Sequence, residues 1–177
     1  MMKTSTRWLG MIAVAVAFTW GCSREPASGP AASVSPPSAE GRQYIAAAEP
    51  AGAVGVTEAR RSARDKEEIV VVGRIGGEVD PWVAESAAFS IVDQSFKPCS
   101  EIEGDSCPTP WDYCCDDPKQ LSKGKAMVEF VDADGQPVSI DARKLLGVKE
   151  LTTVVVKGTA RRDGDGLTIL AREVYLK

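Results

Sequence analysis

From Ile69 to the C-terminus the apolar residues come in short runs rich in Val and Ile, each ended by Gly or Asp. β-Branched side chains suit a pleated surface, and runs this short present no helical face, so the pattern dictates strands. It predicts them at about 69–77, 87–93, 126–132, 138–141, 152–160 and 167–176. Phe89-Ser90-Ile91 and Met127-Val128-Glu129-Phe130 alternate apolar and polar residues with the period of a half-buried sheet. Asp134-Gly135 and Asp163-Gly164-Asp165-Gly166 supply the positive backbone angles that close hairpins. One short helix is expected over 142–147, stopped by Gly147.

A mostly-β domain follows, with five or six short strands and one small helix ahead of the last hairpin. Val70-Val71-Val72-Gly73-Arg74-Ile75 followed by Phe89-Ser90-Ile91-Val92-Asp93 resembles the first two strands of OB-fold domains. Val154-Val155-Val156-Lys157-Gly158-Thr159-Ala160 followed by 167–174 resembles their closing hairpin. The resemblance implies a small closed barrel over 69–177, with Gly73 where the first strand bends to serve both halves. Another small barrel or a sandwich of equal strand count is the competing architecture.

Ahead of the barrel the chain changes character twice. Lys3 and Arg7 precede an apolar run from Leu9 to Phe18, the layout of a secretory signal. That run is too short for a transmembrane helix, which needs roughly 20 residues. Thr19-Trp20-Gly21-Cys22 resembles a lipobox, which implies cleavage before Cys22 and diacylglycerol on its sulfur. Residues 1–22 are therefore expected to be a lipoprotein signal, and the mature chain a cell-envelope protein anchored to the membrane by its N-terminal lipid. An ordinary secreted protein with a spare thiol is the alternative. Residues 23–68 are rich in Ala, Pro and Ser, with Pro26, Pro30, Pro36, Pro37 and Pro50 breaking any pattern, and are expected to be a flexible linker. A short exposed helix is expected over 57–64, at the linker or the domain edge.

Acids outnumber bases, 25 to 21, and removing the signal takes away two bases and no acid. Nucleic-acid binding, the common use of OB folds, needs a basic face and is not expected. Arg161 and Arg162 in the last hairpin are better explained as turn solubility. The chain has no His, the commonest general base and nitrogen ligand. Phosphate loops, G-x-S-x-G and H-E-x-x-H are missing as well, so no enzyme is expected. The closing segment 154–177 also resembles periplasmic haem chaperones of cytochrome c maturation. Those hold haem on a His beyond the barrel, and without His that role does not carry over.

The distinctive segment is an insertion, 94–124, holding Cys99, Cys107, Cys114 and Cys115. Cys107-Pro108-Thr109-Pro110-Trp111-Asp112-Tyr113-Cys114-Cys115 resembles a segment of bacterial envelope proteins of no known activity. In an oxidising compartment four cysteines imply two disulfides. A bond between adjacent Cys114 and Cys115 is strained, so each is expected to pair with Cys99 or Cys107, in either order. No cofactor is then expected. The alternatives are a metal held by the four thiolates, against which the uneven spacing speaks, and redox-active thiols. Glu101, Glu103, Asp105, Asp112, Asp116 and Asp117 can gather a hard cation such as calcium, but lack EF-hand spacing; a solvated acidic surface is the simpler reading. Trp111 and Tyr113, with Asp112 and Asp116, are a candidate contact surface for an envelope protein or glycan, or else the aromatics roof the barrel. The expected function is non-catalytic: a tethered binding module with its stapled loop as the contact face.

Overall fold

The computed structural model describes residues 35–177; the signal, Cys22 and residues 23–34 of the expected linker lie outside them. Six strands form one sheet: β1 (Val54–Gly55), β2 (Glu68–Ile75), β3 (Ala88–Val92), β4 (Lys125–Phe130), β5 (Thr153–Asp163) and β6 (Gly166–Leu176). β2, β3, β4, β6 and β5 follow one another, and β5 pairs back onto β2 from Glu68↔Thr159 to Arg74↔Thr153. The ring is closed, which leaves no long unpaired edge. β4 runs parallel to β6, so the chain crosses over between β4 and β5. A five-stranded ring in this order, with a helix in the crossover, is the OB-fold barrel that the strand pattern implied.

The crossover helix, α3 (Ala142–Leu146), starts at Asp141, whose carboxylate accepts the Arg143 N–H at 2.9 Å. It ends at Gly147 in the left-handed conformation, φ 69°. Gly147 is required twice over, because a Cβ there would also strike the backbone of Ser35 and Pro36. Leu145 and Leu146 are fully buried and close one end of the barrel core. Phe89, Ile91, Val128, Phe130, Val154, Val156, Ile169 and Val174 fill the rest, the inward positions of alternating strands. Gly73 sits where a Cβ would crowd Val56 and Ile91, so its small size matters for close packing at the point where β2 changes partner.

One expected strand is not formed, and one pair of arginines sits elsewhere than expected. The run 138–141 makes no strand: Val131 and Pro137 form an isolated bridge, and Val138 donates its N–H to the Phe130 carbonyl at 3.0 Å. Pro137 lacks a donor and Asp141 turns away to cap α3, so the ladder stops there. Arg161 and Arg162, expected in the hairpin turn, lie in β5 instead, where Arg161 pairs with Glu129 at 2.8 Å and Arg162 donates to the Arg60 carbonyl at 3.0 Å.

The larger correction concerns 35–68, expected to be flexible. Ser38 donates its N–H to the Leu145 carbonyl at 3.0 Å, and a 3₁₀ turn at Gly41–Tyr44 drops Tyr44 edge-on against Phe130, centroids 5.4 Å apart. Ile45 bridges Val174 in parallel, and β1 pairs in parallel with Val71 and Val72 of β2. β1 leads into α1 (Val56–Ser62), whose Val56 and Ala59 are fully buried against the barrel. Its first turn is tied down by Asp93, which accepts the Thr57 N–H at 2.7 Å. The helix expected over 57–64 therefore exists but carries an apolar face. Few apolar residues suffice here because the barrel supplies the surface they bury against. Among the described residues, no helix is long and apolar enough to cross a membrane.

Candidate metal centre

The insertion 94–124 leaves β3 at Asp93 and returns to β4 through α2 (Pro118–Lys123). Asp117 caps α2 by accepting the Lys119 and Gln120 N–H groups at 2.9 and 3.0 Å. Asp117-Pro118 before Leu121 and Gly124 after it are the start and stop signals of a helix, and would have revealed it in the sequence. Tyr113 and Leu121 of the loop, with Phe96, pack on Val92 at the end of β3 in a small cluster apart from the main core. Tyr113 is only 1% exposed. It lies over Gly76, where a Cβ would collide with the Trp111 carbonyl, and the Gly77 N–H donates to that carbonyl at 2.8 Å. Tyr113 itself takes a left-handed φ of 57°. The Gly76-Gly77 pair thus lets the loop backbone lie directly on the barrel, and Tyr113 serves as its anchor.

Tyr113 was a candidate for outward contact, and burial rules that out; it roofs the barrel wall. Its hydroxyl has no hydrogen-bond partner among the described residues, and burial raises its pKa. Trp111 is half-buried and donates its ring N–H to the Val79 carbonyl at 3.0 Å. Asp116 is half-buried, with its N–H bonded to the Tyr113 carbonyl at 3.0 Å. The six acids of the loop do not gather at one point. Glu101 pairs with Arg74 at 2.9 Å, Asp117 is spent on its helix, and Asp105 and Asp112 turn toward the cysteines.

The four loop cysteines are free, so the two expected disulfides are not formed. The sulfur separations are 3.7 Å for Cys99 to Cys114, 3.8 Å for Cys99 to Cys115 and 3.6 Å for Cys107 to Cys114. A disulfide needs about 2.0 Å. The sulfurs are not sorted into pairs, because Cys99 neighbours both Cys114 and Cys115 while Cys114 neighbours both Cys99 and Cys107.

Asp112 completes the first group, its Oδ1 lying 3.9 Å from the Cys99 sulfur and 4.0 Å from that of Cys107. Cys99, Cys107, Cys114 and Asp112 offer ligand atoms that all fall within 4.8 Å of one another. Asp112 is held by two donors, the Cys114 N–H at 2.9 Å and the Thr109 hydroxyl at 2.8 Å. Burial would raise its pKa, but these bonds outweigh it and keep the carboxyl below its ordinary range. Cys99 is buried, Cys107 half-buried and Cys114 exposed, so the group sits at the rim with one ligand open to solvent. Hydrogen bonds from Thr109 lower the Cys107 pKa. Hydrogen bonding with Cys107, Cys99 and Asp112 raises that of Cys114, as expected where several would-be anions converge without a cation.

Asp105, counted from the sequence only among the six loop acids, lies beside the cysteines. Its Oδ1 accepts the Cys107 N–H at 2.6 Å, and its Oδ2 accepts the Cys115 thiol at 3.1 Å. That last bond is the main reason the Cys115 thiol is pushed up to about 11. The signal that would have found both carboxylates is a repeated Asp-x-Cys: Asp105-Ser106-Cys107 and Asp112-Tyr113-Cys114. An Asp bonding the amide two residues on folds into an Asx turn, which carries its carboxylate back beside the cysteine.

No protein-family model matches the chain, and no curated protein does. Among solved structures it is similar to the hypothetical protein ygiW from E. coli, with 17% identity and a TM-score of 0.38 over 72% of this chain and 94% of that one.

Proposed function

We propose that this chain is a non-catalytic metal-binding module of the bacterial cell envelope, anchored by lipid on Cys22. It binds one Zn(II) through the thiolates of Cys99, Cys107 and Cys114 and the carboxylate of Asp112. The observation that carries this reading is the set of sulfur separations. Two sulfurs bound tetrahedrally at ~2.3 Å from zinc stand about 3.8 Å apart; of the three sulfur pairs in this group, Cys99–Cys114 and Cys107–Cys114 lie at 3.7 and 3.6 Å, and Cys99–Cys107 within 4.8 Å. A sulfur and a carboxylate oxygen on the same ion stand about 3.6 Å apart. Asp112 lies farther out, 3.9 and 4.0 Å from the Cys99 and Cys107 sulfurs, and a small side-chain rotation brings it in without backbone movement.

The donor set is soft and anionic, which favours thiophilic ions over calcium or magnesium. Thr109 and the Cys114 amide orient the carboxylate as outer partners do in metal sites. Binding releases the thiol protons to solvent and puts thiolate–zinc bonds in their place. Four protein ligands fill the coordination sphere, so the zinc holds structure or is stored and does not present an open position for catalysis.

The test is elemental analysis with native mass spectrometry on the full-length chain extracted in detergent anaerobically, with no reductant added, so that thiols and bridges keep their native state. One zinc per chain in the group of Cys99, Cys107, Cys114 and Asp112 is expected, lost in Cys107→Ser. Metal-free protein lighter by four hydrogens, with both bridges formed, would restore the stapled-loop reading and overturn this one.

A further inference from the structure

Cys99 belongs to two ligand sets at once. Besides the group with Cys107, Cys114 and Asp112, a second comprises Cys99, Cys115 and Asp105, again with all ligand atoms within 4.8 Å. We infer that the loop binds two Zn(II) ions, the Cys99 thiolate bridging an inner ion on Cys107, Cys114 and Asp112 and an outer ion on Cys115 and Asp105. This rests on the metal-binding reading above and extends it from one ion to a cluster.

Three observations support it. The Cys99 sulfur is 3.7 Å from Cys114 on one side and 3.8 Å from Cys115 on the other, both consistent with two sulfurs on a common ion. Cys115 falls outside the first set, and the two adjacent cysteines have separate carboxylate partners, Asp112 at the Cys114 amide and Asp105 beside the Cys115 thiol. The two sets are also interlocked, since Asp105, a ligand of the outer ion, is held by the amide of Cys107, a ligand of the inner one. Seating the first ion therefore fixes the carboxylate that receives the second.

Charge points the same way. Three thiolates and a carboxylate around one Zn(II) leave two excess negative charges, with the Asp105 carboxylate adjacent. No Lys or Arg lies between Cys99 and Pro118 to offset them. A second Zn(II) that releases the Cys115 proton and takes up its thiolate leaves the same excess spread over two ions, with Asp105 included. The second position has three protein ligands and completes its shell with water, so it exchanges more readily than the first. Cys115 is exposed, which gives that ion its route in and out.

The experiment titrates the reduced full-length chain with Co(II) in place of zinc, following sulfur-to-cobalt charge-transfer absorption and the cobalt EPR signal, and counts zinc separately by native mass spectrometry. The expected result is two ions in sequence, with the EPR signal growing to one equivalent and then falling as the bridge couples the pair. Cys115→Ser should stop the titration at one ion with the first affinity kept within about threefold, whereas Cys99→Ser should weaken both. A single equivalent that is unchanged in Cys115→Ser overturns the cluster and leaves the one-zinc reading standing. Two equivalents without loss of EPR signal overturn the bridge. No cobalt or zinc bound overturns both readings together.

Discussion

Asp93 illustrates how much one carboxylate organises. It is 8% exposed and accepts from Thr57 at 2.7 Å and Ser95 at 3.0 Å, so it joins α1, the end of β3 and the start of the cysteine loop. Burial alone would raise its pKa; the bonds from Thr57 and Ser95 outweigh it and hold the carboxyl below its ordinary value. A carboxyl depressed by folding contributes stability above its unfolded pKa of ~3.9 and loses it as pH falls through the folded value. Asp93→Asn should therefore cost about 1–3 kcal/mol at neutral pH and flatten the acid limb below about pH 4. Urea unfolding at several pH values checks this, and an unchanged acid limb would count against it. Tyr113 makes the opposite case, because its hydroxyl is buried and unpartnered. Tyr113→Phe removes a buried hydroxyl that lies near Arg74 without a well-formed hydrogen bond, so stability should hold or rise by up to ~1 kcal/mol in the same assay.

At the scale of elements, the segment that looked like a tether is part of the domain. Tyr44, Val56 and Ala59 bury 93% or more of their surface, and β1 extends the sheet beside β2. A chain cut to begin at Ile69 would expose Val71, Phe130 and the α1 seat, and is expected to lose its cooperative thermal transition, whereas one beginning at Ser35 keeps it. Circular dichroism melts of the two distinguish the cases; equal melting temperatures would return 35–68 to the role of linker. Val56→Ala within the intact chain should cost about 2 kcal/mol, two methylenes plus the cavity they leave. The insertion is the converse element: it carries a capped helix, packs Tyr113 and Leu121 on Val92 of β3, and is tied to the barrel by the Gly77–Trp111 hydrogen bond and the Arg74–Glu101 ion pair.

For the whole molecule, the proposed arrangement is an anchor, a short lead of chain and a barrel with its thiol cluster on one rim. Placing a metal site on a loop over a closed barrel separates the chemistry from the stability, since the barrel core contains no sulfur ligand. Cys22→Ser is expected to shift the protein from the membrane fraction to the soluble envelope extract while leaving its zinc content unchanged; fractionation with elemental analysis reads both. Retention in membranes would remove the lipid anchor from the picture without touching the metal site.

The barrel strands and α3 were legible in the residues because alternation, Asp capping and a left-handed Gly are local signals, readable without knowing the fold. The paired Asp-x-Cys turns stand in the sequence as an equally local signal, but went unread. What only the tertiary structure decided is contact between distant segments. Tyr44 becomes core because Phe130 is there to receive it, and α1 holds because Asp93 lies across from Thr57. The four sulfurs are unevenly spaced along the chain, which speaks against a metal in one dimension. Folding over Gly76-Gly77 brings them within 4 Å of a neighbour, and coordination depends on distance in space, to which sequence spacing is a poor guide.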